Sequence, residues 1–473
     1  MRALRPFLLA ALCLALGCAP LFARPAWERP PPPARDVPVV QPGAFDRAEL
    51  PNGLRVLVLE DRRVPRVVLG LHVRRGEAAL ASDEAGLAGF TAELMERGAG
   101  SRDAVALAEA VDEIGASLGV WSGWDAMGVF VSGLSRDLDR LVEILADVVL
   151  RPRFEAGEAA RARSEQLASL EKAKDDPATL AGWFTQRALY PGHRFGLPRG
   201  GTPETVRRLD ARAARAFHAR VFVPNDAVLS ASGDVAADGF IARAREAFGA
   251  WQVGPVPDPG PPPPMPAPSV RRIVVVDRPD LVQARISIAH DGIARTDPDR
   301  IAVALMNSVI GGSGFSSRLT KSVRADAGLT YGIGSRFELR REPGPFVVST
   351  FTRVSEARRV VDLVLAELVR ARSQPPTEAE LRDARSLAIG RFSLGLESSA
   401  AVMDSLVDLD VYGLPQDSLD TYRARVRATG AMDVARMARQ HLHPERAAVV
   451  LVGPADLLAP QFEDLGEVTR LSP

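Results

Sequence analysis

A single offset of 220 positions relates two separate blocks of this chain to two others. Pro224-Asn-Asp-Ala227 with Gly233 recurs as Pro444-Glu-Arg-Ala447 with Gly453, and the helical stripe Leu141, Leu145, Val148 recurs as Val361, Leu365, Leu368. One offset satisfied by independent blocks is hard to obtain by chance, so the chain reads as a duplicated α+β domain of about 200 residues per copy. Between the copies, residues 253–269 hold nine prolines. Proline fixes φ and donates no N–H, so this run sustains neither helix nor sheet and reads as a stiff linker. The expected organisation is a first domain over 44–252, the linker over 253–269 and a second domain over 270–473.

Ahead of the first domain, residues 1–18 give a basic start, an apolar run and a small residue before Cys18. That is the pattern of a secretory signal, too short and wrongly flanked for a permanent span. Ala15-Leu16-Gly17-Cys18 is similar to a bacterial lipobox with alanine in place of the usual first leucine. Export to the periplasm is expected, with lipid attachment at Cys18 and residues 19–43, rich in proline, as a tether. Cys13 and Cys18 are the only cysteines, so the body of the chain has no disulfide and no thiolate nucleophile. Lys+Arg and Asp+Glu both number 59, and this balance gives no reason to expect a nucleic-acid partner.

Along the first copy, an Asn52-Gly53 turn precedes an alternating strand, and a second strand is expected over Val67–Val73. Helical periodicity then runs from Ser82 through Leu87, Phe90 and Leu94 to Gly98, and again from Ser101 to about Ile114. Strands are expected at Ala116–Trp121, Met127–Leu134 and Ala227–Ser232.

In the second copy, GGSGFSSRLTKSVRADAGLTYGIGS occupies Gly311–Ser335. The pattern predicts a glycine turn, a helix capped by Ser316 or Ser317 and running to about Asp326, and a left-handed stop at Gly328. A strand carrying Leu329, Tyr331 and Ile333 on one face should follow. Arg324 and Tyr331 lie seven positions apart across the Gly328 turn, so guanidinium and phenol are expected to point into one space. Locally this pattern is equally that of a tight turn, a solvated helix charge and a half-buried strand tyrosine. A phosphate loop is a poor match, because no Gly-Lys-Ser/Thr follows.

The segment resembles the C-terminal-half signature of the insulinase/pitrilysin-like metallopeptidases (inverzincins), in the short-chain branch related to the mitochondrial processing peptidase. There a GG-x-FSSRL turn leads into a helix and an Arg/Tyr pair at this spacing. The resemblance extends over nearly everything from residue 45 onward. It implies two homologous domains, each an antiparallel sheet covered by helices.

It also implies a site that this chain has lost. Family members with chemistry carry H-x-x-E-H on the first helix, two histidines for zinc and a glutamate to activate water. The matching run, Gly86-Leu-Ala-Gly-Phe-Thr-Ala-Glu93, puts Gly89 and Glu93 at the histidine positions and Ala92 at the base. Aligned from Asp175-Asp176-Pro177, the third ligand falls at about Ser169. The six histidines offer no strong substitute: none has another four positions away on a predicted helix, and His441 and His443, two apart beside a strand, could give a weak pair but read more readily as terminal-strand or loop residues. Glu93 and Glu96 read as a solvated helix face, and no G-x-S-x-G frame appears.

In the short-chain branch some chains pair, one holding zinc and the other supplying the Arg/Tyr pair. The resemblance therefore implies a zinc-free subunit with no cofactor of its own, joined to a homologous zinc-bearing subunit and acting on peptide or unfolded polypeptide. The carried-over roles, holding the scissile carbonyl and its oxyanion, fall to Arg324 and Tyr331. The alternative is an inert structural or peptide-binding module of the same fold.

Overall fold

A computed structural model describes residues 38–40, 44–256 and 270–473. The signal, Cys18, most of the tether and most of the proline linker lie outside the described residues. Six strands build the first sheet: β1 (Phe45–Glu49), β2 (Arg55–Glu60), β3 (Arg66–Val73), β4 (Ser117–Ser122), β5 (Met127–Leu134) and β6 (Ala227–Gly233). Their spatial order is β1-β2-β6-β3-β5-β4. The second sheet is built from β7 (Arg272–Asp277), β8 (Gln283–Asp291), β9 (Ile333–Phe337), β10 (Pro345–Arg353), β11 (Ala448–Gly453) and β12 (Val468–Leu471). Its order from the corresponding edge is β12-β7-β11-β8-β10-β9, so the duplication read from one offset repeats the order of five strands, while the edge strand differs: β1 opens its copy and runs antiparallel to β2, and β12 closes its copy and runs parallel to β7.

Most neighbours pair antiparallel, as expected. The exceptions are β2 with β6 in the first sheet, and β7 with both β11 and β12 in the second. The β2–β6 and β7–β11 pairs are parallel because β6 and β11 return only after a run of helices, a crossover that delivers a strand in the same sense as its neighbour.

The helices that matter for position are α1 (Leu87–Met95), α2 (Leu138–Leu150), α3 (Ala156–Ala173), α4 (Pro177–Leu189) and α5 (Ala211–Val221). In the second half they are α6 (Ala357–Ser373), α7 (Glu378–Leu394), α8 (Ser399–Tyr412) and α9 (Ala431–His441). The stripe Leu141, Leu145, Val148 on α2 is buried in the first core, and Val361, Leu365, Leu368 on α6 is buried in the second. The repeated residues are thus those that seal a helix to its own sheet.

The opposite face of each sheet is covered by a helix of the other half. Leu180, Ala181 and Phe184 of α4 pack on Val274, Val276, Val450 and Val452 of the second sheet. Reciprocally, Val402, Met403, Leu406 and Val407 of α8 pack on Leu57, Leu59 and Val228 of the first. Polar contacts pin the exchange: Thr185 Oγ1 donates to Ser287 Oγ at 2.8 Å and Arg55 pairs with Asp410 at 2.9 Å. The middle of each sheet is therefore buried on both faces, and β6 and β11 are buried along their whole length.

Candidate functional site

The helix that would hold the metal keeps its frame. A 3₁₀ turn at Ser82–Glu84 precedes it, and Gly86 then adopts φ +94°, so α1 begins only at Leu87 rather than at Ser82. A side chain at Gly86 would place its Cβ 2.7 Å from the Gly200 carbonyl oxygen, so only glycine fits this entry. Helix α3 runs alongside, with Gln166 Nε2 donating to Gly86 O at 3.2 Å and to Gly200 O at 2.9 Å.

The chemistry of a metal site is not on that frame. The Gly89 N–H donates to Glu77 Oε1 at 3.2 Å, Ala92 is buried in apolar packing, and Glu93 is exposed and paired with Arg97 at 2.6 Å. Ser169 lies on the exposed side of α3. Glu93 is a solvated helix residue as expected. Glu96 is exposed as well, but its carboxylate accepts the Val120 N–H and ties the end of α1 to β4, and partial desolvation there pushes its pKa up. Among the described residues no three His, Cys, Asp or Glu side chains are grouped as a metal ion requires. The residues present do not fit zinc.

At the start of α1 is a buried ion pair. Glu77 is 0 % exposed and its carboxylate meets the Arg194 guanidinium, itself buried. Oε1 and Oε2 also accept the N–H groups of Gly89 and Gly86, so one carboxylate caps the start of α1. Arg194 in turn lies over the Trp124 ring at 5.1 Å. Burial holds the Glu77 carboxyl above the usual carboxylate range, and the Arg194 charge and the two backbone donors offset only part of that rise. Nothing in the sequence signals this pair, because its members are 117 positions apart.

The histidine pair read from the sequence is also apart from any metal role. His441 ends α9, whereas the His443 N–H donates to Nε2 of buried His290 at 3.2 Å and its ring packs edge-on against His290.

The segment 311–335 is held differently from the simple turn–helix–strand expected. The chain passes from a π-turn at Ser308–Gly312 through a 3₁₀ turn at Gly314–Ser316 into a π-helix over Thr320–Asp326. Ser317 Oγ takes the Thr320 N–H at 3.4 Å, the cap the sequence predicts. Gly328 adopts φ +64° and reverses the chain, also as predicted. Tyr331, however, is not in a strand: it sits in a bend, and β9 begins at Ile333. The physical reason is in the neighbouring strand. Thr350 Oγ1 donates to Gly332 O at 2.9 Å and Thr352 Oγ1 to Leu329 O at 2.6 Å, and these side chains satisfy carbonyls that a ladder would otherwise take. Leu329 is buried, and Tyr331 is 78 % exposed on a pinned backbone.

The structure does bring Arg324 and Tyr331 together. The guanidinium carbon lies 4.6 Å from the Tyr331 ring centroid and 4.7 Å from that of Phe315, which is 76 % exposed. The Arg318 side chain of the same motif turns inward. It forms a two-pronged pair with Glu380 of α7, at 2.8 Å on each prong, and donates to the carbonyls of Gln374 and Pro375. The motif thus has one arginine that anchors it and one that faces outward. The two candidate features occupy equivalent edges: α1 packs against β4, and 311–335 leads into β9. A cavity of about 660 Å³ opens between α3, α4 and the 190–203 loop, and none of its lining comes from 311–335.

Comparison with known proteins decides the lineage. Residues 55–201 match the insulinase family, peptidase family M16, and residues 208–387 match the family's "peptidase M16 inactive domain". An uncharacterized zinc protease of Mycobacterium bovis is 30% identical over 413 residues, covering 86% of this chain and 93% of the relative. The chain belongs to the insulinase family. An uncharacterized zinc protease of Streptomyces coelicolor is 26% identical over 417 residues. The crystal structure of a peptidase M16 inactive domain from Pseudomonas fluorescens aligns with a TM-score of 0.79 at 26% identity, over 87% of this insulinase-family chain and 98% of that one. A protease from Helicobacter pylori shares the fold at 17% identity, with a TM-score of 0.80 over 87% of this chain and 99% of that one. The two-domain α+β architecture with helix-covered sheets is that of the family. The mycobacterial and streptomycete relatives are both named uncharacterized zinc proteases.

Proposed function

We propose that this chain is the zinc-free member of a two-chain peptidase and supplies Arg324 and Tyr331 to peptide bound at a zinc-bearing homologous partner. The observation that carries the reading is a contrast between two edges of one molecule. At the metal edge the sequence offers no ligand set on α1, whose start is capped by a buried ion pair, while the other edge holds an arginine against an exposed tyrosine on a backbone fixed by Thr350 and Thr352. A structural scaffold has no need for such a pair. In this role the Tyr331 hydroxyl and an Arg324 N–H donate to the oxygen of the scissile carbonyl, where negative charge develops as the bond is attacked. Arg324 makes no ion pair or side-chain hydrogen bond among the described residues, so its N–H groups are free for substrate.

The test is peptide hydrolysis by the chain reconstituted with a homologous chain carrying intact H-x-x-E-H. Tyr331→Phe keeps the ring and removes one donor, so turnover should fall about 10²–10³-fold while size-exclusion chromatography still shows the pair. Full activity in an intact pair would make the tyrosine structural and leave the chain an inert scaffold. Export and lipid attachment at Cys18 belong to the same proposal. Fatty-acid labelling of wild type that disappears in Cys18→Ser supports the anchor, and equal labelling refutes it.

A further inference from the structure

We propose that Phe315 is a positioning residue for Arg324: its exposed ring and that of Tyr331 jointly hold the guanidinium so that its N–H groups face substrate. The inference rests on the two-chain reading for its catalytic consequence, but the clamp itself is a property of this chain.

Phe315 lacks the usual reasons for a large apolar side chain. It is three-quarters exposed and belongs to none of the hydrophobic clusters of the fold, and its ring contact is Arg324. The turn that carries it is nonetheless held by hydrogen bonds at the residues around it. Ser317 Oγ donates to Gly314 O at 2.8 Å, Ser316 Oγ to Ser313 Oγ at 3.0 Å, and Arg391 to Gly312 O at 3.3 Å. Just beyond, Arg318 locks the segment to α7. The ring is therefore delivered to one place by a rigid turn, 4.7 Å from the Arg324 guanidinium carbon.

An arginine at a helix end ordinarily samples many rotamers or pairs with a carboxylate. Arg324 has no such pair among the described residues, and a carboxylate would consume the donors that a substrate carbonyl needs. Aromatic faces restrain the cation through its π-surface and leave the N–H edge open. A second ring opposes the loss of position when the first moves. The arrangement is a way to order a long cation without occupying its hydrogen bonds.

The experiment has two arms. In the full chain labelled with ¹⁵N-arginine, the Arg324 Nε–Hε signal, assigned by its loss in Arg324→Lys, should carry the ring-current shift of the clamp. Phe315→Leu should move it toward the position of free arginine, and Phe315→Trp should keep it displaced. In the reconstituted pair, Phe315→Leu should lower kcat and kcat/KM together by about 2–5-fold, the size of one exposed cation–π contact. Phe315→Trp should restore both, with no change in thermal midpoint in either variant. An unmoved Arg324 signal in Phe315→Leu overturns the clamp. So does unchanged turnover in Phe315→Leu while Tyr331→Phe remains impaired. If Tyr331→Phe is fully active, the two-chain reading fails and the clamp is decided by the resonance alone.

Discussion

Replacing Arg194 by methionine should expose what the buried pair does for this fold. Methionine fills much of the same volume and still lies against Trp124, so the change removes a charge rather than creating a large void. Glu77, fully buried, would keep only the N–H groups of Gly86 and Gly89 as partners. One charge-assisted hydrogen bond is lost, and an uncompensated carboxylate remains in the interior, which together cost about 3–5 kcal/mol at neutral pH. The carboxyl can escape that cost by taking up a proton. In Arg194→Met its folded-state pKa is therefore raised well above its unfolded value. A raised acid contributes full stability below the unfolded pKa and loses it as pH rises, so the variant should regain stability toward acid. The gain should approach about 1.4 kcal/mol per pH unit over the window between the two values. Urea unfolding at pH 8 and pH 5, followed by tryptophan fluorescence, reads this directly. The double variant Glu77→Gln/Arg194→Met should recover most of the loss at pH 8. An equal deficit at both pH values, or a double variant as weak as the single one, would show that the pair acts through packing rather than charge.

Three further outcomes are expected. Hydrogen bonding from Arg318 holds the Glu380 carboxyl down to about 2, so the pair's contribution is complete above the unfolded carboxyl value and is lost as pH falls from there toward 2; the stability gap between wild type and Glu380→Gln should close over that interval. Leu406→Ala, on the α8 face against the first sheet, should cost about 2–5 kcal/mol in chemical denaturation although it lies in the other half of the chain. Elemental analysis of the purified chain should find no stoichiometric zinc, and one tightly held zinc per chain would require a donor set other than the one at α1.

The legible parts of the structure were those with a period or a local rule. The stripe on α2 and α6 announced the duplication, because core-facing positions are where two copies of a domain stay alike. Gly328 announced its reversal, and the spacing of Arg324 and Tyr331 announced their meeting. Tyr331 was misplaced onto a strand because alternation from Leu329 to Ile333 is a local signal, while the hydroxyls of Thr350 and Thr352 that cancel it come from another strand. The inward turn of Arg318 depends on Glu380, a partner beyond any local window. The exchanged helices left a faint trace: Ala448–Gly453 is apolar on both faces, and Ala227–Gly233 carries only small or apolar residues, with no charge on either face, as strands covered twice must.

That exchange also sets an order of events during synthesis. The first sheet is complete in sequence once Gly233 has emerged, yet the helix that covers its outer face begins only at Ser399. At roughly 5–20 residues per second, the face of Leu57, Leu59 and Val228 stays bare for on the order of ten to thirty seconds. Neither half, cut free at the proline run, would carry the helix that closes its own sheet. A nascent chain of this kind must be shielded until its last third arrives, and a truncated one has an aggregation-prone surface built into it.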